Sequence, residues 1–209
     1  MTAISLLASS QDMKSNKANI ALAKELSVSL DAIQIKELVD NLTNSDKNIQ
    51  SDCIKTLYEV GYLKPELIAD YTADFINLLT NRNNRLVWGA MIALATITDL
   101  RHNEIYASLE KIMKAIEKGS VITIDNGIEI LARLNKHKQY VNRTEPLLID
   151  QLWKCPIKQL PLYVEKALIS INEMNGEIYQ TIIKKRKPEC KNDSQATRLE
   201  RLLKQINSL

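Results

Sequence analysis

The chain has 209 residues, enough for one domain with a sizeable core. Its 45% hydrophobic and 25% charged residues are ordinary for a soluble protein, and only five Gly and five Pro exclude a turn-rich β architecture or long flexible linkers. The net charge of +3 implies no class of partner by itself, although residues 1–105 hold 10 basic and 13 acidic side chains and residues 106–209 hold 18 and 12.

The first eleven residues contain a brief apolar run, Ile4, Leu6 and Leu7, with no basic flank ahead of it, so it does not read as a secretory leader. No stretch approaches the roughly 18 apolar residues that a membrane span needs. Residues 15–27 then read as a helix with Leu22 and Leu26 turned inward. From that point a pattern returns every 37 residues: Cys53, Ala90, Gly127 and Val164; Leu57, Leu94, Leu131 and Leu168; Val60, Ile97, Leu134 and Ile171. Upstream segments keep the same interval, with Leu38, Phe75, Ile112 and Ile149, then Leu42, Leu79, Ile116 and Trp153. Self-similarity at such a period is the signature of stacked repeats, because no single unit can bury its own apolar face.

Within each unit the apolar residues follow helical spacing. Leu86, Ala90, Leu94 and Ile97 lie at i, i+4, i+8 and i+11, one stripe of a helix. Their counterparts are Ile49, Cys53, Leu57 and Val60, then Leu160, Val164, Leu168 and Ile171; in the third copy Thr123 takes the leading place. A second amphipathic stretch precedes each, carrying Ile68, Phe75, Ile76 and Leu79, or Ile105, Leu109, Ile112, Met113 and Ile116. Each unit therefore reads as two antiparallel helices, A then B. The turns between them, Asn44-Ser45-Asp46, Asn81 to Asn84, Lys118-Gly119-Ser120 and Cys155-Pro156, supply side chains that cap the following helix. Gly61 and Gly176 are expected just beyond B helices, as left-handed terminators. Leu199, Leu203 and Ile206 continue the B pattern in an atypical terminal unit. The expected fold is all-α: a right-handed α-α superhelix over residues 1–209, one domain of four complete helix pairs plus terminal helices.

The small residue followed four later by Leu and three after that by an aliphatic resembles the HEAT-like and armadillo-type α-solenoids, over roughly residues 12–206. The Arg that many HEAT repeats carry three residues before the small position is replaced here by Gln50, Val87, Ile124 and Pro161. The resemblance implies a binding scaffold rather than an enzyme, with helix B lining a concave surface.

No reaction centre is legible. Cys53, Cys155 and Cys190 form no C-x-x-C pair, and His102 and His137 lack ligand neighbours at metal spacing. No glycine-rich phosphate loop is present. No catalytic residue, cofactor or metal is expected, and the default setting is the cytoplasm with reduced thiols.

Two features point to partners instead. Trp88 and Ile92 share one face of helix B, and Lys55, Asp125 and Glu129 rim them in adjacent copies, an arrangement suited to a peptide or partner helix. Arg82, Arg85, Lys114, Lys118, Lys154, Lys158, Lys184, Lys185, Arg186 and Lys187 lie near A-to-B turns, where they would make a basic edge able to meet phosphates. The leading expectation is a protein or peptide partner on the B-helix face. The alternative is a nucleic-acid-binding or base-excision protein using the basic edge, since Trp88 near Asp125 loosely resembles the Trp-and-Asp chemistry of the DNA-alkylation-repeat glycosylases. No membrane contact and no small-molecule substrate are expected.

Overall fold

The computed structural model describes residues 2–209, leaving out Met1 of the N-terminal segment. Every regular element among the described residues is helical. They fall into two compact units, 1–127 and 128–209, divided within the helix Val121–Asn135.

In the first unit, α1 (Lys17–Ser29), α2 (Ala32–Asp40), α3 (Lys47–Leu63), α4 (Thr72–Leu78), α5 (Asn84–Ile97), α6 (His102–Ala107) and α7 (Leu109–Lys118) lead into α8 (Val121–Asn135). The turns act as their sequences indicate. Asp46 caps α3 by accepting from the Asn48 backbone N–H at 2.8 Å, and Asn83 caps α5 by accepting from that of Arg85 at 3.1 Å. Helix α1 packs on α3, α3 on α5, and α4 on α5. The small positions do what close packing requires. Cys53 and Ala90 are fully buried, and a Cβ on Gly127 would sit 2.4 Å from a side-chain carbon of Ile116. Leu22 and Leu26 face inward as expected. The short apolar run near the N-terminus is part of the core: Leu7 is buried, and the Ala8 and Ser9 N–H groups donate to Asn19 and Asp52 at 2.8 and 2.7 Å.

Two sequence expectations need correction here. The second and third 37-residue repeats carry an additional helical segment ahead of helix A, two short 3-10 turns over Pro65–Leu67 and Ala69–Tyr71 in one and α6 in the other. Ile68 and Ile105, assigned to helix A by their spacing, belong to these segments and are fully buried there. Gly61 is not a terminator but an interior residue of α3, where a Cβ would stand 2.4 Å from the Thr96 hydroxyl oxygen; Gly176 opens a helix, and neither glycine has a positive φ.

The second unit contains the rest of α8, then α9 (Lys138–Lys154), α10 (Leu160–Ala167), α11 (Gly176–Arg186) and α12 (Asp193–Asn207). Its register departs from the period. Leu148 and Leu152 are fully buried in α9, whereas Ile149 is half-buried and Trp153 is 39% exposed. One residue is about 100° around a helix, enough to exchange one stripe for the next. The buried Thr144, whose hydroxyl meets the Asn135 side-chain oxygen at 2.8 Å, holds the Tyr140, Thr144, Leu148, Leu152 row inward. Val164 is fully buried in α10, but that helix closes early in a 3-10 turn over Leu168–Ser170, which leaves Leu168 half-buried. In α12 the inward residues are Leu199, Leu202 and Ile206, with Leu203 only half-buried.

Candidate functional site: a basic cleft beside Trp88

Trp88 stands near the start of α5, where the capped Asn81 to Asn83 turn brings the chain out of helix α4. It is half-buried and lines a cleft of about 550 Å³ inside the first unit. One wall is the end of the α4 segment, Leu79 to Asn81; the floor is Asn84, Val87 and Trp88; the opposite wall is α7, with Lys111, Lys114, Ala115 and Lys118. Gly119, Ser120 and Thr123 close it where α8 begins. The three lysines are spaced three and four residues apart, so they share one face of α7. All three are exposed, and the cleft's lining includes no Asp or Glu among the described residues. An indole face, several amide and hydroxyl groups and a one-sided row of ammonium groups suit a ligand that joins an apolar part to negative charge.

The structure separates the other residues singled out by sequence. Ile92 is only 6% exposed, so it does not extend Trp88 into an open apolar pair. The reason lies in α5 itself, which is apolar nearly all round and buries Leu86 and every residue from Gly89 to Ala95. Lys55 is engaged locally, paired with Glu59 and 4.6 Å from the centre of the Tyr58 ring. Glu129 accepts from Lys166 at 2.6 Å and from Arg133 at 2.9 Å. Burial pushes its carboxyl pKa up, but these two partners outweigh that influence and hold it below the ordinary glutamate range. Asp125 is half-buried, and its buried Oδ1 has no hydrogen-bond partner. Lys55, Asp125 and Glu129 are not among the residues lining the cleft.

The basic edge is also divided. Lys114 and Lys118 join the Trp88 cleft, while Arg85 lines a different recess beside Asp12 and Asp52. Arg82, Lys158, Lys184 and Lys185 are exposed. Arg186 is not an edge residue: it is 7% exposed and donates to the carbonyls of Leu152 and Cys155, both at 2.8 Å, as well as to Glu189. A guanidinium suits that place because several donors in a rigid fork can satisfy the last carbonyls of α9 and a carboxylate together. Lys154 pairs with Asp150 at 2.7 Å, and Lys187 pairs with Glu200.

Sequence reasoning missed Lys111. The signal was its place on the same face of α7 as Lys114 and Lys118, seven residues before the latter. Burial, with lesser contributions from Asp52 and Glu37, pushes the Cys53 thiol up to about 12, so this sulfur stays protonated and unreactive at neutral pH.

No protein-family model matches the sequence, and no curated protein matches it. Solved structures do match. A designed armadillo repeat protein in complex with the peptide (KR)4 shares 14% identity over 90% of this chain and 86% of its own, with a TM-score of 0.67. An engineered protein shares 18% identity over 99% and 95%, with a TM-score of 0.65. Computationally designed armadillo repeat proteins for modular peptide recognition share 14% over 97% of both chains, with a TM-score of 0.61. The fold is an all-α, armadillo-type repeat superhelix. The short segment ahead of helix A in the second and third 37-residue repeats agrees with the three-helix form that such repeats take.

Proposed function

We propose that this chain is a non-catalytic protein- or peptide-binding scaffold whose principal contact is the cleft beside Trp88. The observation that carries the reading is a half-buried Trp placed at the floor of a 550 Å³ cleft rather than in the sealed core. A rigid aromatic in a concavity supplies contact area with little conformational entropy to lose, and Trp is enriched among residues that dominate binding energy. Similarity in fold to designed repeat proteins that recognise peptides supports the same class of partner. Compared with the expected groove, the contact moves toward the A-to-B turns, because Ile92 lies in the core and Lys55 and Glu129 are paired.

Nucleic-acid binding along a basic edge is the weaker reading. Arg186 is buried, and Lys154 and Lys187 are in ion pairs. Residues 1–127, which hold the cleft, carry 13 basic and 16 acidic side chains, an unfavourable field for a long polyanion. The three cysteines are free, two of them buried, which suits a reducing compartment such as the cytoplasm.

The test is selection of displayed random peptides on the full chain, followed by Trp88→Ala. Enriched peptides should lose most of their affinity with this variant while its thermal unfolding stays cooperative. Enriched peptides that ignore the substitution would overturn the reading.

A further inference from the structure

We infer that the Trp88 cleft selects an acidic linear peptide: one aromatic or aliphatic anchor followed by a short run of carboxylates. This rests on the scaffold reading and adds the chemistry of the partner. The charge lining the cleft is one-sided. Lys111, Lys114 and Lys118 form one wall, and the lining includes no carboxylate among the described residues. A basic peptide is repelled there, and a neutral one leaves the lysines unmatched.

The dimensions set the length of the acidic run. Lys111 and Lys118 are seven residues apart on α7, about 10 Å at 1.5 Å per residue. An extended peptide covers that distance in about three residues at 3.3 Å each. Trp88 and Val87 line the cleft from α5 and the lysine row lines it from α7, so the apolar anchor sits against α5 and the acidic run follows α7. A short acidic segment also agrees with the charge around the cleft. It meets the local lysines only, whereas a polynucleotide would extend over a unit in which acidic residues outnumber basic ones.

The experiment uses the full chain carrying Trp153→Phe, so that fluorescence reports Trp88 alone. Three capped peptides share one phenylalanine and differ in the three residues after it: glutamates, glutamines or lysines. A six-residue oligothymidylate is the fourth probe. The glutamate peptide should shift Trp88 emission and bind roughly tenfold more tightly than the glutamine peptide at low salt, and the lysine peptide should bind most weakly. Replacing Lys111, Lys114 and Lys118 together by Gln should erase the glutamate preference, so that the glutamate and glutamine peptides bind alike, and keep the melting temperature. Equal binding of the glutamate and glutamine peptides would overturn the acidic selectivity while the scaffold reading stands. No peptide shifting Trp88 emission would overturn both. Tighter binding of the oligothymidylate than of the glutamate peptide would overturn the inference in favour of a nucleic-acid ligand.

Discussion

The helices of residues 1–127 are sealed chiefly by apolar and small side chains, with ion pairs such as Lys55–Glu59 and Arg101–Asp70 added, whereas several of those in residues 128–209 are tied to one another by charge. In the first unit α5 buries nine of its 14 residues, all of them apolar, and Cys53, Ala90 and Gly127 allow close approach. In the second unit Glu129 joins Arg133 and Lys166, Glu165 joins Arg198 and Arg201, and Arg186 closes the end of α9. The second unit holds 15 basic and 9 acidic residues, the larger positive excess, yet several of those cations are engaged in holding it together. In the first unit three lysines face a cleft instead. Net charge alone therefore does not say where cations line an open surface; what matters is which of them the fold has already used.

The two units should therefore fail under different perturbations. The largest effect is expected in the apolar unit. Leu94→Ala removes a fully buried side chain from α5 and should cost about 2–5 kcal/mol. Chemical denaturation at low and high salt should give nearly the same loss, because no charge is involved. Next is Arg186→Ala, which strips the Leu152 and Cys155 carbonyls of their guanidinium donor and should cost about 1.5–3 kcal/mol. Arg186→Lys should restore only part, since one ammonium cannot reproduce the fork. A loss under 0.5 kcal/mol for Arg186→Ala would remove charge as an organising force in the second unit.

Acid should act on the second unit selectively. Glu165 is held below the ordinary glutamate range by its hydrogen bonds with Arg198, as Glu129 is by Lys166 and Arg133 against the upward push of burial. A carboxylate with a lowered folded-state pKa stabilises the fold above its unfolded-state value of about 4.3 and loses that contribution as pH falls through the lower folded value. Hydrogen exchange between pH 5 and 2.5 should show protection lost in the C-terminal part of α8, in α10 and in α12 before α3 and α5. Glu129→Gln should lower the melting temperature at pH 7 and flatten its fall below pH 4.5. An unchanged slope would mean that the Glu129 pairs contribute nothing to folding.

The fold was legible because its evidence is repeated. The 37-residue interval places Leu57, Leu94, Leu131, Val60, Ile97 and Leu134 in full burial, and the Asp46 and Asn83 caps sit where turn chemistry puts them. What escaped depends on single side chains. In α9 the buried face is Tyr140, Thr144, Leu148 and Leu152, one residue out of register with the period and joined to Asn135 through Thr144, so Leu152 takes the core position that the period gave to Trp153. Periodicity also cannot tell a helix with one apolar face from one covered on both sides, and Ile92 fell on the second kind. The site was half legible. Trp88, Lys114 and Lys118 were visible as separate signals on different helices, and only the packing of α4, α5 and α7 joins them.

The smallest stability effect is expected where the largest binding effect is proposed. Replacing Lys111, Lys114 and Lys118 by Gln changes the interactions within α7 in two opposing ways: favourable ones are lost and repulsion is relieved. Among those lost are the attractions of Lys114 to Glu110 and Glu117, four and three residues away, about 0.2–0.5 kcal/mol each. Lys118 is the last residue of the helix and interacts favourably with its C-terminal dipole, so its loss costs about 0.3–1 kcal/mol. The three like charges at spacings of three and four repel one another, and their removal returns a few tenths of a kcal/mol per pair, about 0.2–0.5. All three side chains are exposed, so little packing is lost. Stability should stay within about 0.5 kcal/mol of the parent, and its dependence on salt should shrink because both contributions are screened. Denaturant unfolding at two ionic strengths measures this directly. A loss above 1.5 kcal/mol would mean that the lysines hold the first unit together, as the charged residues of the second unit do, and the contrast between the units would fail at the cleft itself.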